Sequence, residues 1–303
     1  MQPMTVVIGT RNHGDSIART VAAIVASDHP DWRLHVVDQS DDDRTAHAMA
    51  PFLGDRRIHY RRSGTVGLSL ARNLGIAEAT TELVAVTDDD CEVAPDWLAE
   101  IDRAFALDPR IGLVFGNVLP GPHDRRAGFV PAYVTEEPQL ARGLRDKNRV
   151  EGTGASMAVR RSQWLALGGF DETLGSGAPL RAGEEIDLTI RALAAGCFVY
   201  ETPRVRVIHH GFYPLAVQRA VMAHYWYGTG AAFARGFAGN PVAMTRVLIG
   251  LAGRWASQPS RVASSLDARQ HRARRLVAFA RGFAAGLVAP RSPATVSAQR
   301  AAA

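Results

Sequence analysis

The chain has 303 residues, 47% of them hydrophobic and 21% charged, a globular composition sufficient for one large domain or a domain with an appendage. Its two cysteines, Cys91 and Cys197, show neither Cys-x-x-Cys nor His/Cys zinc spacing, which argues against a disulfide framework or a zinc finger and for a reducing compartment. The net charge of +5 hides an asymmetry: residues 216–303 carry twelve arginines against the single acid Asp267, or +11, and residues 1–215 carry −6.

An acidic part suits a metal ion, and a basic part suits phosphates, whether of anionic lipid or of nucleic acid. No run of about eighteen uncharged apolar residues is there to span a membrane. The opening Met1-Gln-Pro-Met-Thr-Val-Val-Ile8 lacks the basic stretch of a signal peptide.

Thr5–Gly9 reads as a buried strand, and after Arg11-Asn-His-Gly-Asp15 the apolar residues Ile17, Val21, Ile24 and Val25 fall on one helical face. Ser27-Asp-His-Pro30 ends that helix, and a second strand, Leu34–Asp38, closes a β-α-β unit. The pattern repeats with a strand at Arg57–Tyr60, a helix at Leu68–Ala79 and a strand at Leu83–Thr87. Such alternation predicts an α/β fold with a mostly parallel sheet of nucleotide-binding type, whose ligands bind beyond the carboxyl ends of the strands. Asn12, Asp38 and Asp88 all lie just past strand ends.

Leu83–Thr87 runs into three consecutive carboxylates, Asp88, Asp89 and Asp90, and then into a helix start at Pro95-Asp-Trp97. Oxygen-rich clusters of this kind hold hard divalent cations, and Mg2+ or Mn2+ so held also grips phosphate. Acid-rich stretches after strands serve as plain turns too, because short acids bond their own backbone.

A strand at Ile111–Asn117 precedes a Pro/Gly-rich stretch from Pro120 to Pro138 that is expected to form a mobile loop. Gly152–Val159 reads as an edge or crossing strand, with a helix-turn over Arg161–Gly169. A helix from Glu184 or Glu185 presents Ile186, Ile190 and Leu193 on one face and ends at Gly196, and Asp187 is spaced to pair with Arg191. Phe198–Tyr200 and Val205–Ile208 read as two short strands, and Trp97 and Trp164 as core. His209 and His210 follow the second of these strands and alternate in direction.

Beyond Pro214 the pattern is helical. Leu276, Phe279, Phe283 and Leu287 share a face, Arg274 and Arg281 point roughly opposite, and Gly282 and Gly286 weaken the helix. This suits either packing on the rest of the protein or contact with a membrane surface. Tyr225-Trp-Tyr-Gly-Thr-Gly230 suits either the lining of a ligand cleft, since aromatics are common sugar platforms, or core packing.

Six segments in this order resemble the family 2 glycosyltransferases, which have the GT-A fold. They are Val6-Val-Ile-Gly-Thr10-Arg-Asn12, then Val36-Val-Asp38-Gln-Ser40, then Gly67-Leu-Ser-Leu-Ala-Arg72-Asn73-Leu-Gly75-Ile, then Asp88-Asp89-Asp90 in the place of Asp-x-Asp, then Gly168-Gly-Phe-Asp171 followed by Gly183-Glu184-Glu185-Ile-Asp187-Leu, and last His209. The resemblance covers about residues 4–215. It implies a GT-A catalytic domain over 1–215, a mostly parallel Rossmann-like sheet flanked by helices, with a basic, mostly helical C-terminal appendage over 216–303.

The resemblance further implies inverting transfer of a sugar from a UDP-, dTDP- or GDP-linked donor to a hydroxyl acceptor, lipid-linked or on a glycan. It assigns the donor to Thr10, Asn12, Asp38, Arg72, Asp88 and Asp89, the divalent cation, Mn2+ or Mg2+, to Asp88, Asp90 and His209, and the general base to Glu185 with Glu184 as backup. The family's usual aspartate is a glutamate at 185, one methylene longer with the same carboxylate chemistry. Arg72 suits either the diphosphate or a sheet-edge acid, and Asp38 either ribose hydroxyls and a base N–H or a strand-end turn.

Two other readings stand beside this one. A sugar nucleotidyltransferase is disfavoured because no Gly-rich, Lys-bearing triphosphate loop follows the first strand. A non-catalytic GT-A-like binding or scaffold protein is the other, since fold alone does not make an enzyme. No nucleic-acid partner is expected, because aromatic and basic residues are not interleaved as in an RNA module. The expected location is cytoplasmic, with the basic region either touching the anionic inner face of the membrane or packed on the catalytic domain.

Overall fold

The computed structural model describes residues 1–257 and 268–291. Its first half alternates strand and helix: β1 (Met4–Thr10), α1 (Gly14–Val25), β2 (Trp32–Asp38), α2 (Arg44–Met49), β3 (Ile58–Arg62), α3 (Leu68–Glu78) and β4 (Leu83–Asp88). These four strands are parallel in the order β3-β2-β1-β4. β1 and the body of β4 are buried throughout, as helices on both faces of a parallel sheet require.

The second half supplies β5 (Cys91–Val93), α4 (Trp97–Ala106), β6 (Ile111–Pro120), β7 (Gly128–Phe129), β8 (Gln139–Ala141), β9 (Ser156–Arg160), α5 (Arg161–Ala166), α6 (Glu184–Ala194), β10 (Phe198–His209), β11 (Tyr213–Pro214), α7 (Leu215–Gly239), α8 (Pro241–Ser257) and α9 (Ala268–Val288). The sheet continues β4-β9-β6-β10-β5, with β8 also on β10. β10 runs parallel to β6, while β9, β5 and β8 are antiparallel to their partners. One core, on the side of α1 and α4, contains Trp32 and Trp97, and the other, on the side of α5, α6 and α7, contains Trp164.

Several expectations are corrected. The strand of residues 152–159 is no edge: β9 sits between β4 and β6, and all its side chains but that of Arg160 are buried. The two strands expected at 198–208 are one, because β6 runs alongside without a break and the pairing steps past Pro203, which has no N–H to offer, by a register shift between Thr202 and Arg206. The Pro120–Pro138 stretch is built in rather than loose: β7 pairs with β11, Tyr133 bridges Val118, and Phe129, Val130 and Tyr133 are buried. Val25 sits at the margin of α1, since eight residues from Ile17 is about 80° of rotation, and buried Thr20 takes the place on the inner face.

The C-terminal helices share the second core. Gly183, at φ +91°, and Gly228 let α7 cross the start of α6, because a Cβ on Gly183 would meet the Gly228 carbonyl oxygen at 2.7 Å. α9 lies on α7 through Phe279 against Phe233 and Phe283 against Phe237, with ring centroids 5.7 and 5.8 Å apart. Gly282 and Gly286 do more than weaken α9, for they are where its backbone presses on the carbonyls of Tyr227 and Ala231. The expected apolar face of α9 is therefore divided: Phe279 and Phe283 turn inward, while Leu276 and Leu287 are exposed.

Candidate functional site

Parallel pairing sets Thr10 beside Asp38 and Gly9 beside Asp88, so three strand ends open on one edge of the sheet. α3 reaches that edge because a glycine on each side of the contact lacks bulk: a Cβ on Gly9 of β1 would meet the Ala71 Cβ at 2.8 Å, and one on Gly75 of α3 would run into Val7. This close packing drives Arg72 into the interior, where it is 1% exposed. Its Nη2 donates to Asp88 Oδ1 at 2.7 Å and its Nη1 to Glu184 Oε1 at 2.9 Å. Burial alone disfavours the charged guanidinium, but Asp88 and Glu184 outweigh it and raise the Arg72 pKa. Arg72 thus bridges an acid at the end of β4 and an acid at the start of α6.

Glu184 and Glu185 open α6, where the helix dipole favours acids. Both are buried. Burial, and next the charge of Glu184, push the Glu185 carboxyl well above the usual carboxylate range. Asp187 pairs with Arg191 at 2.8 Å as its spacing implied, and Arg191 also donates to the carbonyls of Leu167 and Gly169. Asn73 grips the same loop from α3, donating to the Phe170 carbonyl at 3.0 Å and accepting the Phe170 N–H at 2.9 Å. Three segments that look separate in sequence thus form one scaffold around Arg72 and α6.

β5 pairs antiparallel with the end of β10, His209 opposite Cys91. Asp90, one residue before β5, therefore meets His209, with Oδ1 3.2 Å from Nε2. The other ring nitrogen, Nδ1, donates to the Pro131 carbonyl at 2.9 Å, which aims Nε2 at Asp90. Burial opposes a charged His209, but the hydrogen bond and charge of Asp90 prevail and raise its pKa to about 9. Burial likewise opposes a charged Asp90, and His209 overcomes it, lowering the Asp90 pKa. His210 turns to Glu92 at 3.1 Å instead.

Asp90, Cys91 and His209 form a group whose ligand atoms lie within 4.8 Å of one another. The Cys91 thiol, pushed well up by burial, stays protonated, and a hard cation prefers the carboxylate and imidazole. Gly211 keeps the space beside them clear: a Cβ there would meet Asp90 Oδ2 at 2.5 Å and His209 Nε2 at 2.8 Å. The donor set and the room beside it fit a divalent cation such as Mn2+. Asp88 borders the same edge but has its Oδ1 on Arg72.

At the ends of β1 and β2, Asp38 is fully buried, accepting the Ser40 N–H at 2.8 Å and the Tyr60 hydroxyl. Asn12, left-handed at φ 60°, ties the β1–α1 loop to the β2–α2 loop by accepting the Asp41 N–H at 3.0 Å and donating its own backbone N–H to Ser40 Oγ at 2.8 Å. Buried Thr10 accepts the Gln39 N–H through its carbonyl at 2.8 Å. Asp89 is held 2.9 Å from His13 Nδ1, and that hydrogen bond is the main cause of a raised His13 pKa. Sequence reasoning passed over His13, Tyr60 and Gly211. His13 and Gly211 had one available signal, a place within two or three residues of a strand end that carries a candidate ligand.

Residues 5–165 match the family described as Glycosyl transferase family 2. The chain is 29% identical over 219 residues to a pre-mycofactocin glycosyltransferase of Mycobacterium tuberculosis, which covers 68% of this chain and 42% of that protein. It is 25% identical over 206 residues to a glucosyl-dolichyl phosphate glucuronosyltransferase of Haloferax volcanii, covering 65% and 62%. The chain thus spans less than two thirds of the length of either relative. Among solved structures, a mannosyltransferase from Pyrobaculum calidifontis in complex with GDP-Man and Mn2+ superposes with a TM-score of 0.64 at 19% identity, over 95% of this chain and 87% of the other. GalNAc-T7 with UDP, GalNAc and Mn2+ gives 0.57 at 16% identity, over 95% and 56%. These likenesses show the GT-A fold. With its strand-end acids, its Glu-Glu helix start and a family match over more than half its length, the chain belongs to glycosyl transferase family 2.

Proposed function

We propose that the chain is a metal-dependent, inverting glycosyltransferase that moves a sugar from a UDP-, dTDP- or GDP-linked donor to an acceptor hydroxyl. One observation carries the reading: buried Arg72 joins Asp88, beside the Asp90 and His209 pair, to Glu184 at the start of α6. A side suited to cation and phosphate and a side suited to proton removal therefore share one cleft. Residues 1–215 form the catalytic unit in this reading, and the helices of 216–303 close its wall.

Asp90 and His209, with Asp88 alongside, hold Mn2+ or Mg2+, which when bound neutralises the charge growing on the departing diphosphate. Thr10, Asn12, Asp38 and Asp89 make up the nucleotide side. Glu185 takes the proton of the acceptor hydroxyl as that oxygen attacks the anomeric carbon and the bond from that carbon to the diphosphate oxygen breaks on the opposite face, which inverts the centre. Arg72 pairs with Glu184, and burial, with the neighbouring Glu184 charge next, makes Glu185 a stronger base than an ordinary carboxylate. One relative is named for a glucosyl-dolichyl phosphate, so the acceptors to test include lipid-linked ones as well as glycans. A cytoplasmic site at the inner membrane face suits such an acceptor. Among the described residues no helix is long and apolar enough to cross a membrane.

The test is a panel of UDP-, dTDP- and GDP-sugars with Mn2+, with Mg2+ or with EDTA, read by chromatography of released nucleoside diphosphate and by thermal shift. Metal-dependent release from one donor is expected, and NMR of the product gives the anomeric configuration. If no donor is consumed and none stabilises the protein in the presence of metal, the scaffold reading replaces this one.

A further inference from the structure

α9 contains no acidic residue. Its contact with α7 uses Phe279, Gly282, Phe283 and Gly286, and Arg275 also turns inward, its guanidinium 4.9 and 4.8 Å from the ring centroids of Trp226 and Trp255. At about 100° per residue, the opposite side of the helix is centred on Val277, Ala284 and Val288. Leu276 and Leu287 lie along one flank and Arg274 and Arg281 along the other. Val277 is 58% exposed, Val288 84%, and Leu276 and Leu287 52% and 50%, so four large aliphatic side chains face water on one helix. Arg274, Arg281 and, just past the helix end, Arg291 are exposed as well.

An exposed aliphatic strip with a purely cationic margin is matched by a surface that is apolar below and anionic above. A second copy of the same face is a poorer match, since a two-fold pairing would bring arginines against arginines with no acid on α9 to offset them. We propose that this face of α9 docks the protein on an anionic lipid surface, with Val277, Ala284 and Val288 entering the headgroup region and Arg274 and Arg281 meeting lipid phosphates. The docking does not depend on which reaction the cleft performs.

Flotation of the full chain with vesicles of phosphatidylcholine alone, or of phosphatidylcholine with about a third phosphatidylglycerol, tests this. Binding is expected only to the anionic vesicles at low salt, and release at 1 M salt, where the screening length is roughly 3 Å. Each arginine near such a surface contributes about fivefold in partitioning, so R274E/R281E should lower it by about thirtyfold or more. V277E/V288E should lower it by about tenfold or more, through loss of apolar contact. All four side chains point away from α7, so melting temperature and nucleotide binding should stay as in the parent. Failure of the parent chain to float at low salt overturns the proposal, as does flotation of both variants equal to that of the parent. A concentration-dependent dimer in sedimentation velocity that V277E/V288E abolishes would assign the face to self-association and overturn it too.

Discussion

Mn2+ should bind this protein with a pH dependence set by His209. In the metal-free protein its Nε2 lies 3.2 Å from Asp90 Oδ1, and the ring keeps its proton up to about pH 9 against an ordinary 6.5. A cation that takes Nε2 must displace that proton. At pH 7 the neutral ring is about one part in a hundred, so apparent affinity should sit about 100-fold, or ~2.7 kcal/mol, below its high-pH limit. The Kd for Mn2+ should therefore fall about tenfold per pH unit between roughly pH 6.5 and 8.5. Titration calorimetry in buffers of different ionisation heat should find about one proton released per Mn2+ bound near pH 7.5, and His209→Asn should weaken binding and flatten the slope. The sign is opposite for the metal-free fold. A histidine whose pKa is raised stabilises fully below its unfolded value of 6.5 and loses that contribution as pH rises through about 9, a difference on the order of 3 kcal/mol. Mn2+ affinity that is flat with pH, with no buffer-dependent heat, would refute the reasoning.

Further outcomes follow from the same geometry. Gly211→Ala should cost about tenfold or more in Mn2+ affinity with urea stability within ~0.5 kcal/mol of the parent, because the new Cβ lands 2.5 Å from Asp90 Oδ2; unchanged affinity would move the cation elsewhere. Arg72→Met should destabilise by about 3–5 kcal/mol in urea melts, since it leaves Asp88 and buried Glu184 without their shared partner; a loss under about 1 kcal/mol would show the bridge to be incidental. Glu185→Gln should keep donor affinity while turnover falls about 10²-fold. In the parent, activity should rise with pH through a value above the ordinary carboxylate range, because the base works only when deprotonated and its pKa is raised. Glu184→Gln should shift that limb to lower pH by removing the like charge, and if Glu184→Gln is instead the crippled variant with Glu185→Gln near normal, the base is misassigned by one residue.

Much of this site was legible because strand ends can be read from short-range pattern. An apolar run that stops at Asp88, and helices that start at Leu68 and Glu184, fix where carboxylates and Arg72 enter the cleft. The Asp187 and Arg191 pair was readable for the same reason, being a property of one helix. What the pattern could not give is register between distant segments. That Asp90 meets His209 depends on three residues of β5 pairing with the end of β10, and three residues carry too little periodicity to announce a strand. The division of the α9 face was hidden likewise: Phe279 and Leu276 look alike in sequence, and only the close approach of α7 through Gly282 and Gly286 decides which is covered. Built-in structure over 120–138 was missed because its Pro and Gly spacing signals a loop, while its burial comes from strands far away in the chain.

Placing Glu184 beside Glu185 in a buried helix start is costly on its own, since each charge disfavours the other and neither is well solvated. Arg72 resolves this in one direction only. Its guanidinium hydrogen-bonds Glu184 and Asp88, whereas burial keeps the Glu185 pKa raised. A second cation close to Glu185 would stabilise the fold further and lower that pKa, producing a weaker base. Buried Lys147 feels Glu185 less than it feels Glu151 and Glu201, its Nζ donates to the Val150 carbonyl, and burial lowers its pKa. The cleft therefore keeps one carboxyl uncompensated at the place where the proposed reaction removes a proton, and the stability forgone there is what gives Glu185 its basicity.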